Sequence, residues 1–312
     1  MMLTSGEDPR ASSMHLFYSD VFVLPLPSHH RFPIGKSVRL RERMLASDAF
    51  DRGDFGVPDA ASDAEIGRVH CPAYLERVCS GRLSAAEVRA IGFPWSERMV
   101  ERSRRSAGAT LAAARAALSR GWGGNLAGGT HHAFRDRGEG FCVFNDAAIA
   151  ARAMQAEAGL QRIAIVDCDV HQGNGTAAIF ANDDSVFTFS IHGARNFPFA
   201  KEAGDLDIEL ADGTGDDEYL WHLERGLDET LERSRPQLVF YLAGADPFAG
   251  DRLGRLALSK AGLLRRDGLV LRTLHARGIP VAIAMAGGYA HDIDDSVEIH
   301  ARTLALAAEV WD

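Results

Sequence analysis

The sequence predicts one α/β domain in three layers, with a parallel β-sheet between two layers of helices. Three observations predict it. Short apolar runs stop abruptly at Gly or Asp, segments with apolar residues three and four apart lie between them, and no repeat or linker divides the 312 residues. Residues 1–13 read as a flexible tail and 14–312 as the domain. From Tyr18 to Trp95, frequent Pro and Gly and an irregular charge pattern predict helices and long loops, which beside an α/β sheet often shape a ligand entrance. Asp146 to Ala158 then reads as a helix, and Ile163 to Val166, ending at Asp167, as a buried strand. Val186 to Ile191 is a second such run, followed by helix at Glu218 to Ser234 and strand at Leu238 to Leu242. Helix at Ser259 to Ala276, strand at Ile279 to Met285 and helix at Asp294 to Val310 complete the alternation.

Composition narrows the function classes. A net charge of −9 lacks the basic footprint of a nucleic-acid or anionic-membrane binder. No stretch reaches the roughly 18 apolar residues of a spanning helix, and the first 20 residues lack a basic segment followed by an apolar run. Cys71, Cys79, Cys142 and Cys168 form no CxxC pair, which points to a reducing compartment and a cytoplasmic protein.

The chemistry concentrates where strands end. After Ile163 to Val166 come Asp167, Asp169 and His171 at alternate positions, which an extended chain turns to one side. Carboxylate and imidazole suit zinc or a neighbouring first-row metal. One DxDxH fits capping carboxylates beside a Gly turn equally well. A second strand end changes the balance, because Asp246 follows Leu238 to Leu242 and supplies a candidate third ligand; alone, Asp246-Pro247 would read as a helix N-cap. Gly128-Gly-Thr-His131-His132 places two imidazoles, able to take and return a proton near neutral pH, after a flexible turn. An HH pair also occurs at His29-His30, so doubling by itself is no signature. Ala286-Gly-Gly-Tyr289 offers a phenol as oxyanion donor, or simply a Tyr packed at a turn. The coincidence of all four elements is what points to a metal hydrolase.

These residues resemble the arginase/deacetylase superfamily and, within it, the zinc-dependent histone deacetylases. The resemblance runs from about His15 to the C-terminus through GGTHHAF, GFCVFND, VDCDVHQGNG, FSIHG, DLDIELADGTGDDEYL, GADPFAGDRLG and AGGY. HQGNG and the NFPF run at Asn196 to Phe199 look more like the class IV branch, the histone deacetylase 11 type. The resemblance implies an eight-stranded parallel sheet and a catalytic domain over 14–312. It implies one Zn2+, with Fe2+ as the other candidate, on Asp169, His171 and Asp246. It implies His132 as general base and then acid, His131 as its electrostatic support, and Tyr289 at the oxyanion. Asp167 would pair with His131 and share a structural K+ with Asp169, His171, Ser190 and Ile191. Gly140, Phe141, one of Phe197 and Phe199, and Gly288 would line the tunnel for the acyl-lysine stem. Asn174 stands where class I members carry an Asp behind the second histidine, and Gly92-Phe-Pro-Trp95-Ser shows no counterpart of their rim Asp. The expected substrate is an acyl-lysine protein or peptide, with longer acyl chains favoured by the class IV likeness, or a small acylated amine such as an acetylpolyamine. A binuclear manganese hydrolase of the arginase kind would need a second ligand set, and a non-catalytic binding module would have lost some of these residues. The sequence gives no oligomeric state.

Overall fold

The computed structural model describes residues 15–311 apart from positions 23, 25, 28 and 29, so the expected 1–13 tail lies outside the described residues. In chain order the elements are β1 (Leu16–Phe17), α1 (Lys36–Leu45), β2 (Phe55–Gly56), α2 (Asp63–Gly67), α3 (Pro72–Ser80), α4 (Ala85–Ile91), α5 (Glu97–Arg120) and β3 (Trp122–Asn125). There follow α6 (Asp146–Ala158), β4 (Ile163–Asp167), α7 (Asn174–Phe180), β5 (Val186–Gly193), β6 (Leu206–Leu210), α8 (Asp216–Ser234), β7 (Leu238–Leu242), α9 (Lys260–Ala276), β8 (Val281–Ala284) and α10 (Ile293–Trp311). Among the described residues, the eight strands form one sheet in the order β2-β1-β3-β8-β7-β4-β5-β6, every neighbouring pair parallel.

The two-residue period of a strand builds the three layers. Ala164 and Val166 of β4, with Val239 and Tyr241 of β7, face the helices α1, α8, α9 and α10. Ile163, Ile165, Leu238, Phe240 and Leu242 face the opposite layer, α2 to α7. Both faces are covered, so the central strands carry no polar side. That is why they read as unbroken apolar runs. Among the described residues no helix is long and apolar enough to cross a membrane.

The topology also fixes where a site can form. From β4 the chain runs outward through β5 to β6, then returns through α8 to β7 on the other side of β4. The strand order reverses between β4 and β7, and in open parallel sheets ligands bind outside the carboxyl ends at such a point.

β3 departs most from a sequence pattern. Its Gly123 faces the Ala113 carbonyl of α5 so closely that no Cβ fits, and a Cβ on Gly124 would stand 2.9 Å from both Leu16 Cδ2 and Leu304 Cδ2. Close packing therefore selects glycines that hide the strand. α5, a 24-residue helix, presents Ala107, Leu111, Ala113, Ala114 and Ala117 to the core, a small-residue face that lets it lie close to the sheet.

Candidate active site

The segment leaving β4 carries the acidic cluster. Asp169 Oδ1 accepts the His171 backbone N–H at 2.9 Å and lies 2.9 Å from His171 Nδ1, while Oδ2 accepts the Gly287 N–H at 2.7 Å. Beyond β7, Asp246 Oδ1 accepts the Val170 N–H at 2.9 Å. Its Oδ2 is buried, makes no hydrogen bond, and sits 3.2 Å from His171 Nδ1. One donor atom each from Asp169, His171 and Asp246 lies within 4.8 Å of the others. Gly287 is required here: a Cβ at that position would land on Asp246 Oδ2 and beside Asp169 Oδ2.

The electrostatics show the charge this cluster asks for. Burial opposes a charged His171, yet Asp169 and Asp246 outweigh it and hold the imidazole up to about 10. Burial, with Asp169 alongside, pushes Asp246 up to about 7. A divalent cation satisfies both demands. Two carboxylates and an imidazole around one orphaned buried oxygen fit such an ion, and zinc among them.

The tandem histidines enter from the loop after β3. Gly128 and Gly129 take positive φ angles of 82° and 70°, and Asp146, at the start of α6, accepts the N–H groups of Gly129 and Thr130 at 3.0 and 2.7 Å. The rings of His131 and His132 lie 4.1 Å apart. His131 Nδ1–H donates to Asp167 Oδ2 at 2.6 Å, and His132 Nδ1–H donates to Asn174 Oδ1 at 2.7 Å. Each acceptor fixes Nδ1 as a protonated nitrogen, and at His132, which stays neutral, this leaves Nε2 with its lone pair. Against burial, the charges of Asp167 and Asp169 hold His131 up to about 9. Burial, then the neighbouring His131 and His171, keep His132 well below its ordinary value. Asn174 is not the end of its chain, because its Nδ2 donates to Glu139 Oε1 at 2.6 Å.

Tyr289 follows the strained turn at Ala286, where φ is +50°. Its N–H donates to Asp251 Oδ2 at 2.6 Å, and its ring meets His171 edge-on at 6.5 Å. Burial, with Asp169 and Asp246 nearby, pushes the phenol well above its usual range, so it remains a hydrogen donor.

A cavity of about 760 Å³ joins these groups, with His131, His132, Asp169, His171 and Tyr289 on its wall. Gly140 and Phe141 form one side; a Cβ on Gly140 would approach His132 Cδ2 to 2.6 Å. Phe197 stacks edge-on against His132 at 4.9 Å, whereas Phe199 stands 87% exposed farther out. Gly288 lies behind the turn, against Ala245 and Lys36. Of the five residues expected around potassium, Asp167 and Ser190 are register partners on β4 and β5, and Ile191 follows Ser190 within β5. In the segment after α4, Phe93 packs on the wall residues Phe32 and Phe141, whereas Trp95 Nε1 donates to the Val78 carbonyl at 2.7 Å.

Sequence reasoning missed several lining or supporting groups. Lys36 of α1 donates to the Ala286 carbonyl at 3.0 Å, and burial, with Arg102 nearby, brings its ammonium down to about 8. Desolvation pulls Arg102 of α5 down to about 10, with Phe32 5.2 Å from its guanidinium. Both cations line the cavity together with Ser106 and Gly128. Glu139 and Asp251 are single carboxylates in loops, with no spacing that announces a role.

Comparison with known proteins bears on the family and the fold. The histone deacetylase domain pattern matches residues 30–304. An uncharacterized protein of Picosynechococcus sp. is 45% identical over 294 residues, covering 94% of this chain and 98% of that one. Histone deacetylase 2 of Arabidopsis thaliana is 31% identical over 307 residues, covering 93% and 79%. The crystal structure of an HDAC homolog from Aquifex aeolicus superposes with a TM-score of 0.82 at 22% identity, over 95% of this chain and 84% of that one, and shows the same fold.

Proposed function

The chain belongs to the histone deacetylase family, and from that premise we propose that it hydrolyses the amide of an N-acyl-lysine with one zinc ion held by Asp169, His171 and Asp246. The observation that carries the reading is the meeting, in one cavity, of a buried carboxylate–imidazole cluster, a histidine with a free Nε2 and a protonated phenol. When bound, the metal would acidify water and polarise the acyl carbonyl. Beside it, His132 Nε2 takes the proton of the attacking water and returns it to the departing amine. His131, kept charged by Asp167, stabilises negative charge as it develops. The Tyr289 phenol donates to the carbonyl oxygen as it becomes an oxyanion. Lys36 and Arg102 offer positive charge to the carboxylate that hydrolysis releases. Asp167, Asp169, His171, Ser190 and Ile191 are the group that would hold potassium.

Among the described residues this is the one three-ligand cluster, which favours a single metal over an arginase-like pair. The test is hydrolysis of a lysine series from acetyl to myristoyl, with and without a hydroxamate, beside Tyr289→Phe and Asp169→Ala. Hydroxamate-sensitive turnover lost in both variants supports the reading, and the chain-length profile selects the acyl group. No turnover on any acyl-lysine would overturn it and redirect attention to small acylated amines.

A further inference from the structure

With a net charge of −9, an arbitrary patch of this surface should be acidic. The cavity is the opposite. Its charged lining is Arg31, Lys36, Arg102, Arg195, Arg252 and Arg255 against a single carboxylate, Asp169, which belongs to the metal cluster. Lys36 and Arg102 lie inside; the other four are exposed arginines around the mouth.

These four come from three separate segments. Arg195 precedes Asn196, whose side chain donates to the Leu253 carbonyl at 2.7 Å and accepts the Arg255 N–H at 3.2 Å. The 195–197 and 252–255 segments are thereby tied into one bank. Arg252 Nε donates to the Tyr289 carbonyl at 2.9 Å, which places this guanidinium directly beside the catalytic turn. Arg31 lines the mouth from the segment of Phe32, whose ring contacts Phe141 at 5.6 Å.

Their charge is poorly compensated. Arg195 and Arg255 share one carboxylate, Asp212, at 3.8 and 3.1 Å. Among the described residues Arg252 and Arg31 have no carboxylate at ion-pairing distance. One anion against four cations leaves a positive mouth on a negative molecule. Phe199, 87% exposed, adds an apolar ledge with its ring 6.3 Å from that of Phe197.

We propose that this mouth docks acidic peptide, carboxylate side chains on either side of the acylated lysine pairing with Arg31 on one bank and with Arg195, Arg252 and Arg255 on the other. The inference rests on the acyl-lysine reading of the site and names the sequence context it takes. A small acylated amine such as an acetylpolyamine has no carboxylate to offer, whereas an acidic peptide crossing the mouth meets arginines from all three segments at once. The same field repels polyamines, whose remaining amines are cationic.

The test is fluorescence anisotropy with labelled acetyl-lysine peptides bearing Asp/Glu, Ala/Gly or Lys/Arg neighbours, together with their kcat/KM values. Near 0.05 M salt the acidic peptide should bind and turn over about tenfold better than the neutral one, the difference residing in Kd and KM, and the gap should close near 0.5 M salt. Arg195→Gln with Arg255→Gln should bring the acidic-to-neutral ratio toward one, and Arg255→Glu should favour the basic peptide, with thermal midpoints reported beside each. Neutral peptides turned over as fast as acidic ones, a ratio that survives the double variant, or equal competition by N-acetylputrescine would each overturn the proposal. Absence of turnover on every peptide, with the anisotropy ranking intact, would instead overturn the hydrolase reading and leave the docking surface standing.

Discussion

His131 and His132 are chain neighbours with rings 4.1 Å apart, yet they occupy two electrostatic regions. Behind His131 stands a carboxylate, Asp167, and the imidazole is held up to about 9. Behind His132 stands an amide, Asn174, with the Glu139 carboxylate one hydrogen bond farther, and this imidazole is kept well below its ordinary value. The difference teaches how adjacent identical residues divide labour. In the proposed mechanism the ring backed by a carboxylate carries the charge, and the ring backed by a neutral acceptor takes the proton.

The sharpest way to break this comparison is to remove each ring in turn. His132→Ala should lower kcat by about 10²–10⁴, the usual worth of a positioned acid–base group. His131→Ala, losing electrostatic support alone, should cost on the order of tenfold to a hundredfold in kcat on the same acyl-lysine substrate. Comparable losses from both would erase the proposed division.

Asp167→Asn tests what lies behind His131. Without that carboxylate the ring should titrate well below about 9, visible by NMR of the imidazole, and kcat near pH 8 should fall about tenfold as His131 loses its proton. Glu139→Gln keeps the acceptor for Asn174 Nδ2 and removes only the charge, so a few-fold loss in kcat is expected, with KM unchanged. Rescue by Glu139→Asp would separate this positioning role from a general loss of structure.

A third buried histidine gives the reference for a purely structural role, and its expected effect on activity is the smallest. His70 Nε2 accepts the Asn145 N–H at 3.0 Å, and burial takes the ring down to about 4. Its folded value lies below the roughly 6.5 of an unfolded chain, so between these values the unfolded state binds more protons. Stability should be complete above about pH 6.5 and lost as pH falls toward 4, by about 3 kcal/mol for this one group. His70→Gln keeps an acceptor and removes the titration. Urea midpoints for the variant should therefore flatten across this window while kcat at pH 8 stays near wild type.

Much of the fold was legible in the sequence for one physical reason. β4 up to Val166 and β7 are covered on both faces and so consist of uninterrupted apolar residues, and β5, buried throughout, interrupts its apolar run only with Thr188, Ser190 and His192. The less visible strands follow other constraints: β3 is Trp-Gly-Gly-Asn because α5 and Leu16 leave no room for Cβ atoms, β1 and β2 are two residues each, and β6 is a partly exposed edge with alternating polar residues. In the candidate site, Asp169, His171, Asp246, His131 and Tyr289 stood out because metal and proton chemistry restricts residue types at strand ends. Lys36, Arg102, Glu139 and the arginines of the mouth did not. Each is a single charged side chain in a segment without periodicity, and tertiary packing alone gives it meaning.

The measurement that tests the account most directly is the pH dependence of kcat/KM for wild type beside Asn174→Asp. With Asn174 the acid limb should lie below pH 6.5, because His132 is held well below that value and acts in its neutral form. A carboxylate in place of Asn174 Oδ1, now 2.7 Å from His132 Nδ1, favours the protonated ring and should move the limb to higher pH, with activity at pH 6 falling more than at pH 8. An acid limb that stays in place would contradict the assignment of His132 as the base.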